Sequence, residues 1–82
     1  MSQANDASVS SEIKKLEQEI QKLQAQVKEC EQQIRDYREK ENYEQQIFFA
    51  QEIFQLQQQK LVLQTEITMR KNKINRLLFE HS

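Results

Sequence analysis

Few side chains in this 82-residue chain could do covalent or acid–base chemistry, and they do not assemble into a motif. The one histidine, His81, is the penultimate residue, and the one cysteine, Cys30, lies far from it in sequence. A nucleophile–base pair or a metal site needs several such groups in concert, as in a Ser–His–Asp triad or a Cys/His ligand set. Neither catalytic nor metal-ligating residues are therefore expected, and neither a cofactor nor a small-molecule substrate is implied. What remains is charge. Residues 60–82 carry five basic and two acidic side chains, a balance of +3, against −4 for residues 1–59. Arg70, Lys71, Lys73 and Arg76 could touch phosphates. They are spread around several sides of a helix, however, and lack the clustering of a nucleic-acid-binding basic region. Compensation of a helix dipole at its C-terminal end is the simpler account. A helical protein contacting phosphates through this end is kept as the alternative function; nucleic acid is not the expected partner.

The elements that must carry these residues are helical. The chain contains no glycine and no proline, and is rich in glutamine and in charged residues, 30 % of the whole. Ala, Leu, Glu, Lys, Gln and Arg are all good helix formers. Apolar residues recur on alternating steps of three and four at Ile13, Leu16, Ile20, Leu23, Val27, Cys30, Ile34 and Tyr37, the a and d seam of a coiled coil. A second seam runs through Ile53, Leu56, Lys60, Leu63, Ile67, Arg70, Ile74 and Leu77. Between them the apolar signal fades over residues 38–42, but nothing there is a strong helix breaker. Ile34 and Leu56 are separated by two eleven-residue repeats, which relax a left-handed supercoil without interrupting the helix.

The spacing thus predicts an all-α chain: one long helix over about residues 11–79, a rod of roughly 100 Å at ~1.5 Å per residue. It would form an extended coiled coil or helical bundle with other chains. Four sections follow. Residues 1–10 are a disordered lead-in ending at Ser10 as N-cap, with Glu12 in the first turn. Residues 11–40 are a regular heptad coil. Residues 41–63 are an aromatic-rich section with eleven-residue character, and residues 64–80 a C-terminal coil with a basic end. The competing arrangement is an αα-hairpin that turns near Asn42, with arms of roughly 28 and 35 residues packed antiparallel. Turns of that kind normally recruit Gly, Pro or several Asn, Asp and Ser.

Partner choice is written in the flanks. With Ile13 at a, Glu12, Glu17, Glu19 and Glu31 fall at g and e, whereas Lys14, Lys15, Lys22 and Lys28 lie at outer positions. Flanking acids select a helix with basic flanks, so a heterotypic partner is expected for the N-terminal half. Lys60 and Arg70 interrupt the second seam and would set register, their long stems carrying the charge out to water. The central section is apolar over a wider arc than a two-stranded coil covers. Ile47, Phe54 and Leu61 make a separate row of seven-residue spacing, Phe49 falls on the second seam, and Phe48 belongs to neither. These five are the expected docking positions for additional helices.

One cysteine permits no internal disulfide framework and fits a reducing compartment. Residues 1–10 have no apolar core of a secretory signal, and no stretch is long and apolar enough to span a bilayer. The charges near Phe48, Phe49 and Phe54 are Glu44 and Glu52, the wrong sign for an anionic lipid surface. The expectation is an intracellular protein of cytoplasm or nucleus. It would be a structural coiled-coil subunit, an oligomeric scaffold or assembly component of cytoskeletal, chromosome-segregation or tethering type, without enzymatic activity. On this two-section reading Ile20→Asp abolishes the first pairing, while Phe49→Asp with Phe54→Asp strips further partners and leaves that pairing intact. Light scattering of both variants compares the two effects.

Overall fold

A computed structural model of the chain describes residues 2–80, with side chains from residue 7 onward. Met1 of the expected lead-in and His81 lie outside the described residues. The described residues form two helices, α1 (Ser2–Lys40) and α2 (Ala50–Glu80), packed against each other as an extended hairpin. Their ion pairs give the direction, Glu31 with Lys60, Glu19 with Arg70 and Glu12 with Lys73: as the first number falls the second rises, so the helices are antiparallel. The molecule measures 70 × 15 × 13 Å with a radius of gyration of 19.1 Å. A compact domain of this length would have about 12 Å.

The two apolar seams are the contact faces. Leu16, Ile20, Cys30 and Ile34 of α1 and Ile53, Leu63 and Ile67 of α2 are buried. Ile13, Leu23, Val27, Tyr37, Leu56, Ile74 and Leu77 are half-buried beside them. Among the described residues no large side chain is fully buried, because a single helix covers each seam and leaves its edges wet. The core is one thin layer.

A nine-residue connection turns the chain without glycine or proline. Arg38 and Lys40 stand in the last turn of α1, where the exposed carbonyls favour cations. The Glu41 amide then donates to the Arg38 carbonyl at 3.3 Å, tightening the helix end. Asn42 and Ile47 exchange two backbone hydrogen bonds of 2.9 Å each and close a four-residue tip. At the start of that tip the Asn42 Oδ1 accepts from the Gln45 amide at 3.2 Å, a side-chain acceptor standing in for a backbone one. Gln46 takes a left-handed conformation, φ 56°, which a residue with a Cβ adopts at a cost. The carbonyl of Phe49 accepts the first helical bond of α2, from Ile53 at 2.9 Å. Its own amide donates to the Glu41 Oε2 at 3.2 Å, so a carboxylate sits at the positive end of α2, supported by Glu52 in the first turn. The Phe49 ring packs 5.0 Å from that of Tyr37, and the Lys40 ammonium lies 5.9 Å from the Tyr37 ring centre.

Several expectations are corrected by this arrangement. The chain is not one continuous rod. Residues 41–49 turn, and the section expected over residues 41–63 is a turn followed by the start of α2. The chemistry that turns it, a side-chain cap from Glu41 and a glutamine in the left-handed region, carries no Gly or Pro signature. Residues 2–10, expected as a flexible lead-in, belong to α1, so Ser10 is not its N-cap and Glu12 is not in its first turn. No helix breaker precedes Ile13, and Val9, half-buried, extends the seam by one further step of four. Lys71, Lys73 and Arg76 do not compensate a helix end, since α2 runs on to Glu80 and has no base in its last turn. Phe49 belongs to the turn, so the paired Phe49→Asp and Phe54→Asp test strikes the hairpin itself.

The turn yields a measurable pair of effects. Gln46→Gly relieves the left-handed strain and should raise hairpin stability by up to about 1 kcal/mol, net of the greater freedom of glycine in the unfolded chain. Glu41→Ala removes the cap and should lower it by about 1 kcal/mol. Thermal melts followed by far-ultraviolet circular dichroism read both; equal and opposite shifts are not required, but opposite signs are.

Candidate functional site

Two surfaces of the hairpin could meet another molecule, and they differ in kind. Along the edges of the seam acids of α1 meet bases of α2. Glu31 Oε2 lies 3.1 Å from Lys60 Nζ, Glu19 Oε1 3.0 Å from Arg70 Nε, and Glu12 Oε1 3.3 Å from Lys73 Nζ. Arg70 also reaches Glu66, at 3.6 Å from its carboxylate and 3.1 Å from its carbonyl. Lys60 and Arg70 therefore do more than extend to water: each ends on a carboxylate of the opposite helix, with about a third of its side chain exposed. The flanking acids of the first seam find their basic-flanked helix within the same chain. Glu17 is exposed.

The basic C-terminal segment is correspondingly less free than its sequence suggests. Arg70 and Lys73 reach acids of α1, Lys73 with about half its side chain still exposed, and Lys71 and Arg76 are exposed. Cys30 is buried in the seam. Among the described residues no group of three or more His, Cys, Asp or Glu could hold a metal ion, and no helix is long and apolar enough to cross a membrane. An open groove between the helices, about 670 Å³, is apolar at Ala25, Val27 and Ile67 and otherwise ringed by glutamines, lysines and Glu31. No set of convergent polar groups marks it as a pocket for a small molecule.

The outer face of α2 is the second surface. Phe54, Leu61, Val62 and Met69 are each more than half exposed on the side of the helix turned away from α1. Their spacing of seven, eight and fifteen residues from Phe54 keeps them on one side of a 3.6-residue helix. Gln58 and Thr65 lie between them, and the Thr65 hydroxyl donates to the Leu61 carbonyl at 2.9 Å, so its donor is already satisfied within the helix. From Ile53 to Met69 the only charged residues are Lys60 and Glu66, and both are held in ion pairs at the seam edge. The outer face is thus uncharged over four turns. On α1 the corresponding outer positions, among them Lys14, Lys15, Lys22, Lys28, Arg35 and Asp36, are exposed and charged.

Of the five expected docking positions, Phe54 and Leu61 lie on this face. Ile47 and Phe48 are at the hairpin tip, where the Phe48 ring packs edge-on to Tyr43 at 5.4 Å, and Phe49 is half-buried in the turn. Ile47 leaves the row it forms in sequence because its backbone is paired with Asn42. Val62 and Met69 complete the face. Their signal was a second seven-residue spacing one position beside the first.

No protein-family model, curated protein or solved structure matches this chain. The functional reading therefore rests on the surfaces just described.

The ion pairs generate a double-mutant test. Glu19→Arg and Arg70→Glu should each lower the melting temperature by the equivalent of about 0.2–1 kcal/mol, as expected for partly exposed pairs. The double exchange should recover part of the loss, and added salt should shrink the difference. Melts at low and high ionic strength measure the coupling.

Proposed function

We propose that this chain is a structural subunit, a helical hairpin that acts as an assembly module by docking further helices on the outer face of α2. The observation that carries this reading is an uncharged stripe of Phe54, Leu61, Val62 and Met69 left in water on an elongated molecule that cannot fold over to cover it. Monomeric soluble proteins rarely leave large contiguous apolar patches exposed, and those they do leave are often contact sites. The seam is thin as well: among the described residues a single layer of seven buried side chains is a small core for a chain of this length. Cover on the outer face would convert α2 from half-covered to sandwiched. The larger complex would be of the cytoskeletal, chromosome-segregation or tethering kind in which short helical subunits recur, and an intracellular setting suits the unpaired cysteine.

The alternative, phosphate contact through the basic end, is weakened by geometry. Arg70 and Lys73 are each within ion-pair distance of a glutamate of α1, which lowers the charge they could offer a nucleic acid.

Co-purification from native cells with cross-linking tests the reading. Cross-links from partner helices should concentrate on residues flanking Phe54, Leu61, Val62 and Met69. Phe54→Glu combined with Leu61→Glu should lose those partners while retaining helical content, because both side chains are exposed. Partners cross-linked only to the charged outer side of α1, and retained by the double variant, would overturn it.

A further inference from the structure

Resting on the assembly reading, we infer that the first occupant of the outer face of α2 is a second copy of this chain, packed α2 against α2 in antiparallel orientation to give a four-helix assembly. Charge is the first argument. A foreign helix selected by electrostatics would need charged flanks to meet, and this face offers none from Ile53 to Met69 beyond two residues already paired at the seam. A two-fold contact brings a surface against itself, so any charge near the axis would meet its own sign; an uncharged face avoids that penalty. Glutamines flank the stripe, and a side-chain amide both donates and accepts, so it can meet a polar side chain of the second copy without a like-charge penalty.

Order along the stripe is the second argument. Place a two-fold axis between Leu61 and Val62. Phe54 then comes level with Met69 of the second copy, Gln58 with Thr65, and Leu61 with Val62. Large apolar residues meet large apolar residues at every layer except two symmetry-related polar ones, and those pair an amide with a threonine whose hydroxyl proton is already given to the Leu61 carbonyl. The Phe54–Met69 layers at both ends set a thioether beside an aromatic ring, a favourable contact. A parallel pairing would instead stack Phe54 on Phe54 and Gln58 on Gln58. The outer side of α1 cannot substitute for α2 in such a contact, because it is charged and has no large apolar residue between Lys14 and Asp36 on that side.

Area is the third. The four residues are 58, 56, 59 and 63 % exposed. Taking about 200 Å² for a fully exposed large side chain, they present on the order of 500 Å² per copy. Two such patches face to face approach the roughly 1,000 Å² of total burial that marks a specific interface.

Sedimentation equilibrium of the full chain over a wide concentration range should fit a monomer–dimer equilibrium. Leu61→Glu should raise the dissociation constant by more than about tenfold, since the substitution places two carboxylates together at the axis. Its helical content at high concentration should persist, because Leu61 is exposed in the hairpin. A Leu61→Cys variant should be trapped as a dimer by a short bis-maleimide, with Cys30 shielded in the seam. Phe54→Cys alone should not, because in antiparallel order the two positions stand roughly 20 Å apart along the helices; Phe54→Cys with Met69→Cys should. A chain that is monomeric throughout, a dimer indifferent to Leu61→Glu, or efficient trapping of Phe54→Cys alone would each overturn the inference. If the chain is monomeric yet Phe54 and Leu61 are still needed to hold cellular partners, the second copy is wrong and the assembly module stands.

Discussion

Two apolar stripes on one chain, each without internal cover of its own, become each other's cover once the backbone reverses between them. Isolated helices of this kind gain most of their stability from packing of the apolar face rather than from propensity. α1 and α2 meet that need intramolecularly, along a seam that runs from Ile13 and Ile74–Leu77 near the open end to Tyr37 and Ile53 near the turn. Every other feature is placed by this seam. It fixes which acids stand opposite which bases, which residues of the connection must reverse direction, and which side of each helix is left to solvent.

The edges of the seam act as a register device. Three pairs, at Glu12, Glu19 and Glu31 of α1, match Lys73, Arg70 and Lys60 of α2 in antiparallel order. Individually such exposed pairs contribute little stability. A slip of α2 by one heptad, however, would separate all three together, and that collective loss distinguishes the observed register from its neighbours. Lys60 and Arg70 illustrate why basic residues at seam positions are tolerated: their stems lie over the apolar layer while their heads reach a carboxylate across the edge. The same pairs set acids of α1 beside Lys60, Arg70 and Lys73, while Lys71 and Arg76 of residues 60–82 remain exposed.

Much of the packing was legible in sequence, and the connectivity was not. The periodicities at Ile13–Tyr37 and Ile53–Leu77 define both contact faces, and the glutamates at g and e announce a basic-flanked partner helix. What periodicity cannot say is whether that helix belongs to another chain. The reversal depends on local chemistry without a strong signature: Asn42 as a side-chain acceptor, Gln46 in a conformation usually given to glycine, and Glu41 reaching across the loop to the Phe49 amide. Each residue would sit comfortably in a helix, and the eleven-residue spacing from Ile34 to Leu56 disguises the break. The outer face is half visible in sequence. Phe54 and Leu61 stand out as a row, but Ile47 extends that row into a segment that is not helical, and Val62 with Met69 join the face only once α2 has a defined inner side.

The hairpin also covers the seam of α1 with a tethered helix. A separate helix seeking the seam of α1 must displace α2, which is tethered through nine residues at an effective concentration on the order of millimolar. A competitor in solution at micromolar concentration would need an affinity advantage of about a thousandfold to prevail, roughly 4 kcal/mol. No such competitor guards the outer side of α2. Its stripe is rigidly displayed by a helix already ordered through the seam, so docking there does not have to fold the helix as well. Glu12, Glu19 and Glu31, which look in sequence like selectors of a foreign helix, therefore pair inside the chain, and the uncharged side of α2 stands outside the seam.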